Sequence, residues 1–298
     1  METSGALGLQ SYPRLGLEGV GRRPGGFVRF SRGFKDEKGV EKLVFRRPSS
    51  IGRQVQLRFN GLDVSCSYKN SAVESESVKV CVDEALILKR KSEEVAPSLS
   101  GRCIYLVGMM GSGKTTVGKI LSEVLGYSFF DSDKLVEQAV GATSVAQIFK
   151  EHSEDFFREN ESEVLRELSS MHQLVVATGG GVVIRPINWR HMKKGITVWL
   201  DVPLEALARR IAAVGTASRP LLHHESGDAY TKALLQLNKL YQERGEYYTN
   251  ADTTVSLQDI ADEQASADVS ALTPTAIAIE ALIKIKNFLT TDESNGRS

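Results

Sequence analysis

From Gly101 onward the chain alternates two hydrophobic rhythms. Short runs that are apolar almost throughout, Ile104–Val107, Tyr127–Phe130, Leu174–Ala177, Ile196–Leu200 and Thr253–Leu257, have the length and continuity of strands. Between them the apolar positions recur every three or four residues. Over Thr115–Leu125 they are Val117, Ile120, Leu121, Val124 and Leu125, which predicts a helix with one buried face. The same period predicts helices over Ser132–Val140, Ser144–Phe149, Glu154–Ser169, Pro186–Lys193, Leu204–Ala213 and Asp228–Tyr248. A last helix is expected over Pro274–Leu289, with Thr273 as N-cap, Pro274 in the first position, and Ile277, Ala281, Leu282 and Ile285 on one face. Strands without polar alternation are covered on both sides, so the pattern predicts an α/β domain with a parallel sheet between helical layers. In such a sheet a ligand lies beyond the carboxyl ends of the strands, and the residues that follow each strand are the ones to inspect.

Composition changes the picture at the N-terminus. Residues 1–60 hold 12 Lys and Arg against 5 Asp and Glu, a net of +7, and the whole chain is neutral, so the remainder carries −7. A basic head on an acidic body is no nucleic-acid footprint for the body. The head is rich in Arg, Gly and Ser, poor in acids, and lacks the apolar stretch of a secretory signal. It resembles an organellar transit peptide over residues 1–66, with removal expected near Val64 to Ser67. Residues 67–98 turn acidic and read mostly as a linker, with one helix possible over Asp83 to Glu94 on a weak apolar face of Ala85, Leu86, Ile87 and Leu88. A folded domain is expected over 99–290 and a disordered tail over 291–298. No apolar run approaches the roughly 20 residues that span a bilayer. The cysteines, Cys66, Cys81 and Cys103, are odd in number and without C-x-x-C spacing, which argues against a disulfide framework or a zinc site; Cys103 reads as a small buried hydrophobe.

The strongest chemical signal follows the first strand. Gly108-Met109-Met110-Gly111-Ser112-Gly113-Lys114-Thr115 fits the P-loop pattern, and it lies between a strand and a helix start, as a phosphate site requires. Loop N–H groups and the helix N-terminus would face the anion. Lys114 would reach the β- and γ-phosphates and the Thr115 hydroxyl would hold Mg²⁺. After the second strand comes Asp131-Ser132-Asp133, two carboxylates that can serve a metal and an acceptor hydroxyl, or else cap the next helix. After the third comes Thr178-Gly179-Gly180-Gly181, a turn that lets the backbone approach a ligand closely. Thr178 stands where many P-loop proteins place a metal-binding Asp, which leaves Asp131 as the nearest candidate. Arg158, Arg219 and Arg244 are candidate anion clamps or ordinary surface charges. Arg219 lies in Val214 to Gly227, a polar stretch without periodicity that reads as a mobile lid.

Taken in order, the P-loop with Thr116 behind it, Phe129-Phe130-Asp131-Ser132-Asp133, Phe156-Phe157-Arg158-x-x-Glu161, the triple glycine, Arg219-Pro220-Leu221-Leu222 and Glu243-Arg244-x-x-Tyr247-Tyr248 resemble the shikimate kinase family over about Gly101 to Leu289. With its basic leader the chain is similar to a plant chloroplast form. The resemblance implies a nucleoside monophosphate kinase-like fold with a five-stranded parallel sheet and a lid, and transfer of phosphate from ATP to shikimate. It implies that Lys114, Asp133 and Arg219 act in catalysis, that Thr115 and Asp131 lie near Mg²⁺, and that residues 108–116 hold ATP with Arg219, Arg210 being near adenine. It implies a shikimate pocket of Asp133, Arg158, Gly179, Gly180, Gly181 and Arg244. It also implies import into the chloroplast stroma, and a monomer or weak homodimer that binds neither nucleic acid nor membrane. Two features depart from the pattern: Gly245-Glu246 replaces an expected Pro-Leu pair, and Ser256 to Leu272 is long for its place. Two alternatives stand beside this reading: another small-molecule kinase of the same fold, and a kinase-like regulatory protein that has lost catalysis.

Overall fold

A computed structural model describes the backbone of residues 29–35, 41–46, 74–214, 228–264 and 268–295, and side chains over 84–213, 228–264 and 268–292. The expected cleavage region, Cys66, the lid segment after Val214 and its Arg219 lie outside the described residues. Within the basic head, β1 (Arg29–Lys35) pairs antiparallel with β2 (Glu41–Arg46).

The domain is a five-stranded sheet in the order β4-β5-β3-β6-β7, every pairing parallel. Its strands are β3 (Ile104–Val107), β4 (Ser128–Asp131), β5 (Leu174–Ala177), β6 (Ile196–Asp201) and β7 (Thr253–Ser256). All four residues of β3 and of β5 are buried, whereas only one residue of each edge strand, Phe130 and Val255, is. This gradient is why the central strands read as unbroken apolar runs.

The helices follow the expected pattern: α2 (Lys114–Leu125), α3 (Ser132–Val140), α4 (Val145–Glu151), α5 (Glu154–Leu168), α6 (Pro186–Met192), α7 (Leu204–Val214) and α8 (Ala229–Tyr248). Their starts are fixed by side chains: Ser144, Ser153 and Asp228 each accept a first-turn N–H. The long segment after β7 holds a further helix, α9 (Leu257–Glu263), which buries Leu257, Ile260 and Ala261. Last comes α10 (Pro274–Asn295), with Thr273 Oγ1 accepting from Ala276 N at 3.0 Å. It runs past the tail boundary expected at residue 290, and Thr290 and Thr291 donate back to Lys286 O and Asn287 O.

The largest difference from the sequence reading lies before the domain. Residues Glu74–Leu99 form one helix, α1, packed against α10 and α2, not a linker with a short helix in it. Its inner side is Ser92, Val95 and Leu99, with Leu88 partly buried, while Leu86 is 63% exposed. Four consecutive apolar residues spread right around a helix, so Ala85 to Leu88 cannot make a face. The face is the sparser series 88, 92, 95, 99, which keeps helical spacing.

Candidate active site

Strands β3, β4 and β5 deliver their following loops to one crevice, at the carboxyl ends of adjacent strands. The P-loop leaves β3 with Gly108 at φ 145°, where a side chain would be strained and its Cβ would stand 2.7 Å from Leu200 O. Lys114 is nearly buried and donates to Gly108 O (2.7 Å), Met109 O (2.8 Å) and Ser112 Oγ (3.2 Å). The ammonium is thus held inside the curl of its own loop. Arg210, on α7, reaches the same loop through Gly111 O at 3.4 Å.

Asp131 ends β4 and serves two partners. Its Oδ1 accepts from Lys134 N and caps α3, and its Oδ2 accepts from the exposed Thr115 hydroxyl at 3.0 Å. Thr178 turns its hydroxyl back to Leu106 O at 2.9 Å. Thr178 thus commits its hydroxyl to the backbone of β3, and the carboxylate beside the Thr115 hydroxyl is that of Asp131.

A cavity of about 500 Å³ opens beside the loop, lined by Met109, Met110, Lys114, Thr115, Asp131, Asp133, Phe149, Phe157, Arg158, Gly179 to Gly181 and Arg244, among others. Asp133 Oδ1 is buried there without a hydrogen-bond partner. Burial first, and then the negative charges of Glu161 and Asp131, push this carboxyl up to about 7, against the opposing pull of Lys114 and Arg158. Glu161 has no exposed surface and accepts from Arg158 NH1 at 2.9 Å. Arg158 is otherwise tied to Glu154, and Arg185 donates to Arg158 O at 2.7 Å, fixing that turn of α5.

The triple glycine is a spacer between these charges. A Cβ on Gly179 would lie 2.5 Å from Asp133 Oδ1, and one on Gly181 would lie 2.2 Å from the Arg158 guanidinium. Gly179 N donates to Ser132 Oγ, which locks the turn to the start of α3. From α8, Arg244 enters the cavity almost wholly buried, with Nε unpaired. One helical turn later, Tyr248 donates to Gly180 O at 2.6 Å, and its ring stacks on Trp199. The expected Pro-Leu pair is therefore not needed to bring Arg244 inward.

Sequence reasoning assigned no role to Glu161, Glu154 or Tyr248. The signal was spacing: Glu161 stands three residues after Arg158 and Tyr248 four after Arg244, so each shares a helix face with its arginine.

A sequence model of shikimate kinase matches residues 110–273. The chain is 65% identical over 84% of its length to shikimate kinase 3, chloroplastic, of Oryza sativa subsp. japonica, covering 86% of that protein. The chain belongs to the shikimate kinase family. It is also 52% identical to the chloroplastic shikimate kinase of Solanum lycopersicum, over 99% of both chains. Among solved structures, shikimate kinase from Acinetobacter baumannii in complex with shikimate aligns with a TM-score of 0.52 and 34% identity, over 65% of this chain and 96% of that one. The family is one of ATP-using kinases, and the parallel sheet with its flanking helices is the fold its members share.

Proposed function

We propose that the protein transfers the γ-phosphoryl group of ATP to the 3-hydroxyl of shikimate, giving shikimate 3-phosphate and ADP, in the chloroplast stroma. The observation that carries this is Asp133, a buried carboxylate with an unpaired oxygen, which lines one cavity with the P-loop lysine and two arginines. A hydroxylated small anion suits such a pocket: Arg158 and Arg244 take its carboxylate, and Asp133 takes its reacting hydroxyl. As the hydroxyl oxygen bonds to the γ-phosphorus, the bond to the bridging oxygen of ADP breaks and the hydroxyl proton passes to Asp133. Lys114 shifts from its own loop carbonyls to the phosphates and offsets charge there, with Arg219 as a second cation.

Magnesium bound with ATP fits Thr115 and Asp131. Both offer hard oxygens, and a hydroxyl and a carboxylate with ATP phosphates and water are what this ion takes. Bound there, it neutralises phosphate charge. The chloroplast setting is supported by the acid-poor leader and by the chloroplastic plant relatives.

The test is ADP release with shikimate, gluconate, AMP or no acceptor, for the natural protein and for Lys114→Met. Release that requires shikimate and vanishes in the variant is the expected result. ATP binding without shikimate-dependent release would overturn the assignment in favour of a non-catalytic relative.

A further inference from the structure

Every nitrogen of the Arg158 guanidinium already donates to a carboxylate of the protein itself. NH1 donates to Glu161 at 2.9 Å, while Nε and NH2 converge on a single oxygen of Glu154, at 3.3 and 3.0 Å. A guanidinium grips a ligand carboxylate best through two parallel N–H donors, and each pair it can offer, Nε with NH2 or NH1 with NH2, includes nitrogens that already donate to a glutamate, so an acceptor acid that pairs with Arg158 in this way competes with one of the two.

The two are not equally displaceable. Glu161 has no exposed surface, and stripping the partner from a buried carboxylate is strongly unfavourable. The Glu154 side chain is 50% exposed and opens α5, where water and the helix N-terminus can receive it once it lets go. Release of Glu154 is therefore the easy exchange.

We propose that Glu154 is a built-in competitor for the acceptor's carboxylate. It holds the outer edge of Arg158 until the acceptor binds, then yields that edge, and so sets the affinity for the acceptor. Acceptors lacking an acid group gain nothing in exchange for the ion pair they disturb, which makes the pair an element of specificity as well. This rests on the reading that Arg158 receives the acceptor's carboxylate.

The experiment measures KM for shikimate and for ATP in the whole protein and three variants. Glu154→Gln keeps the shape and removes the charge. Asp155→Asn removes an equal charge from the neighbouring residue, which does not pair with Arg158. Arg158→Ala removes the clamp. Glu154→Gln should lower KM for shikimate by about two- to fivefold, the factor to which a part-exposed ion pair converts, and leave KM for ATP unchanged. Glu154→Ala should act in the same direction. Asp155→Asn should do much less, and Arg158→Ala should raise KM for shikimate more than KM for ATP. If Arg158→Ala leaves shikimate binding intact, the clamp reading itself fails. If Arg158→Ala weakens it but Glu154→Gln does not lower KM, or Asp155→Asn lowers it equally, the clamp stands and the competitor is ruled out. A gain in affinity on losing a contact is the mark that a merely supporting role would not leave.

Discussion

Where α1 meets α10, apolar side chains are enclosed and charges stay at the rim: Val95 and Leu99 have no exposed surface, while Glu94 meets Lys286 with both partly in water. In the cavity beside the P-loop this order is inverted. There the enclosed groups are charged (Glu161, Arg244 and Lys114), and Asp133 Oδ1, Glu161 Oε1 and Arg244 Nε are buried without partners. The first arrangement stabilises the fold, and the second costs stability while keeping polar atoms ready for a ligand. The two regions should therefore respond to mutation in opposite ways, and each response can be measured.

The largest separation is expected at Asp133. Asp133→Asn should lower kcat at least about a hundredfold, the lower range for a positioned acid–base group. Thermal unfolding should show no loss of stability, because the variant removes a carboxylate crowded by Glu161 and Asp131. The pH dependence sharpens the point. With the folded carboxyl raised to about 7, kcat/KM for shikimate should fall as pH drops below about 7, as the base takes up a proton. For stability the sign runs the other way: the folded state binds this proton more tightly than the unfolded chain. The contribution is thus full below about pH 4 and is lost as pH rises toward 7. A variant both unstable and active would reverse the assignment.

Leu99→Ala is the mirror case. Removing a fully enclosed side chain should cost about 3 kcal/mol of stability, with kcat and both KM values unchanged at temperatures where the protein stays folded. Kinetic loss without a lower Tm would show that α1 reaches the site by some other route.

The difference between the regions also explains what the sequence reveals of each. The P-loop, the DSD carboxylates and the triple glycine are legible because each follows a strand directly, and turn chemistry at a strand end is local. The central strands β3 and β5 are the most legible because, covered on both faces, they leave no polar gaps in their sequences. The seam is harder to see. Its stripe of Leu88, Ser92, Val95 and Leu99 contains a serine and is overshadowed by the exposed run at Ala85 to Ile87. The partner that makes those positions buried, α10, lies almost two hundred residues away. The helix α9 is hidden for a similar reason, since its three buried positions are too few to set a period. Glu161 is legible as a partner of Arg158 but not as a buried one, because burial there depends on how α5 packs in the finished fold.

Tyr248 lies between the two regimes, being fully buried yet hydrogen-bonded to the site. Tyr248→Phe would leave Gly180 O without its donor while keeping the stack on Trp199. An unpaired buried carbonyl costs about 1–3 kcal/mol, so Tm should fall, by less than in Leu99→Ala. Because Gly180 stands between glycines that almost touch Asp133 and Arg158, KM for shikimate should also rise a few-fold, with KM for ATP less affected. An equal rise in both would mean that the hydroxyl supports the P-loop through Met109, its other neighbour at 3.4 Å, more than it supports the glycine turn.

The smallest effect belongs to the rim of the seam. Glu94 lies among Lys286 at 2.9 Å, Lys91 at 3.2 Å and Arg90 at 3.8 Å. Lys286 above all, and then Lys91, hold its carboxyl below the ordinary glutamate value, so whatever stability it adds is present above that value and lost as pH falls through the lowered one. Water reaches every member of the cluster, however, and mobile ions screen charges placed this way. Replacing both Glu94 and Lys286 by Gln should therefore shift Tm by no more than about a degree or two, and by less still in 1 M salt. A drop as large as that of Leu99→Ala, and one that salt removes, would mean that charge and not enclosed apolar surface holds α1 to the domain, and the contrast between seam and pocket would no longer stand.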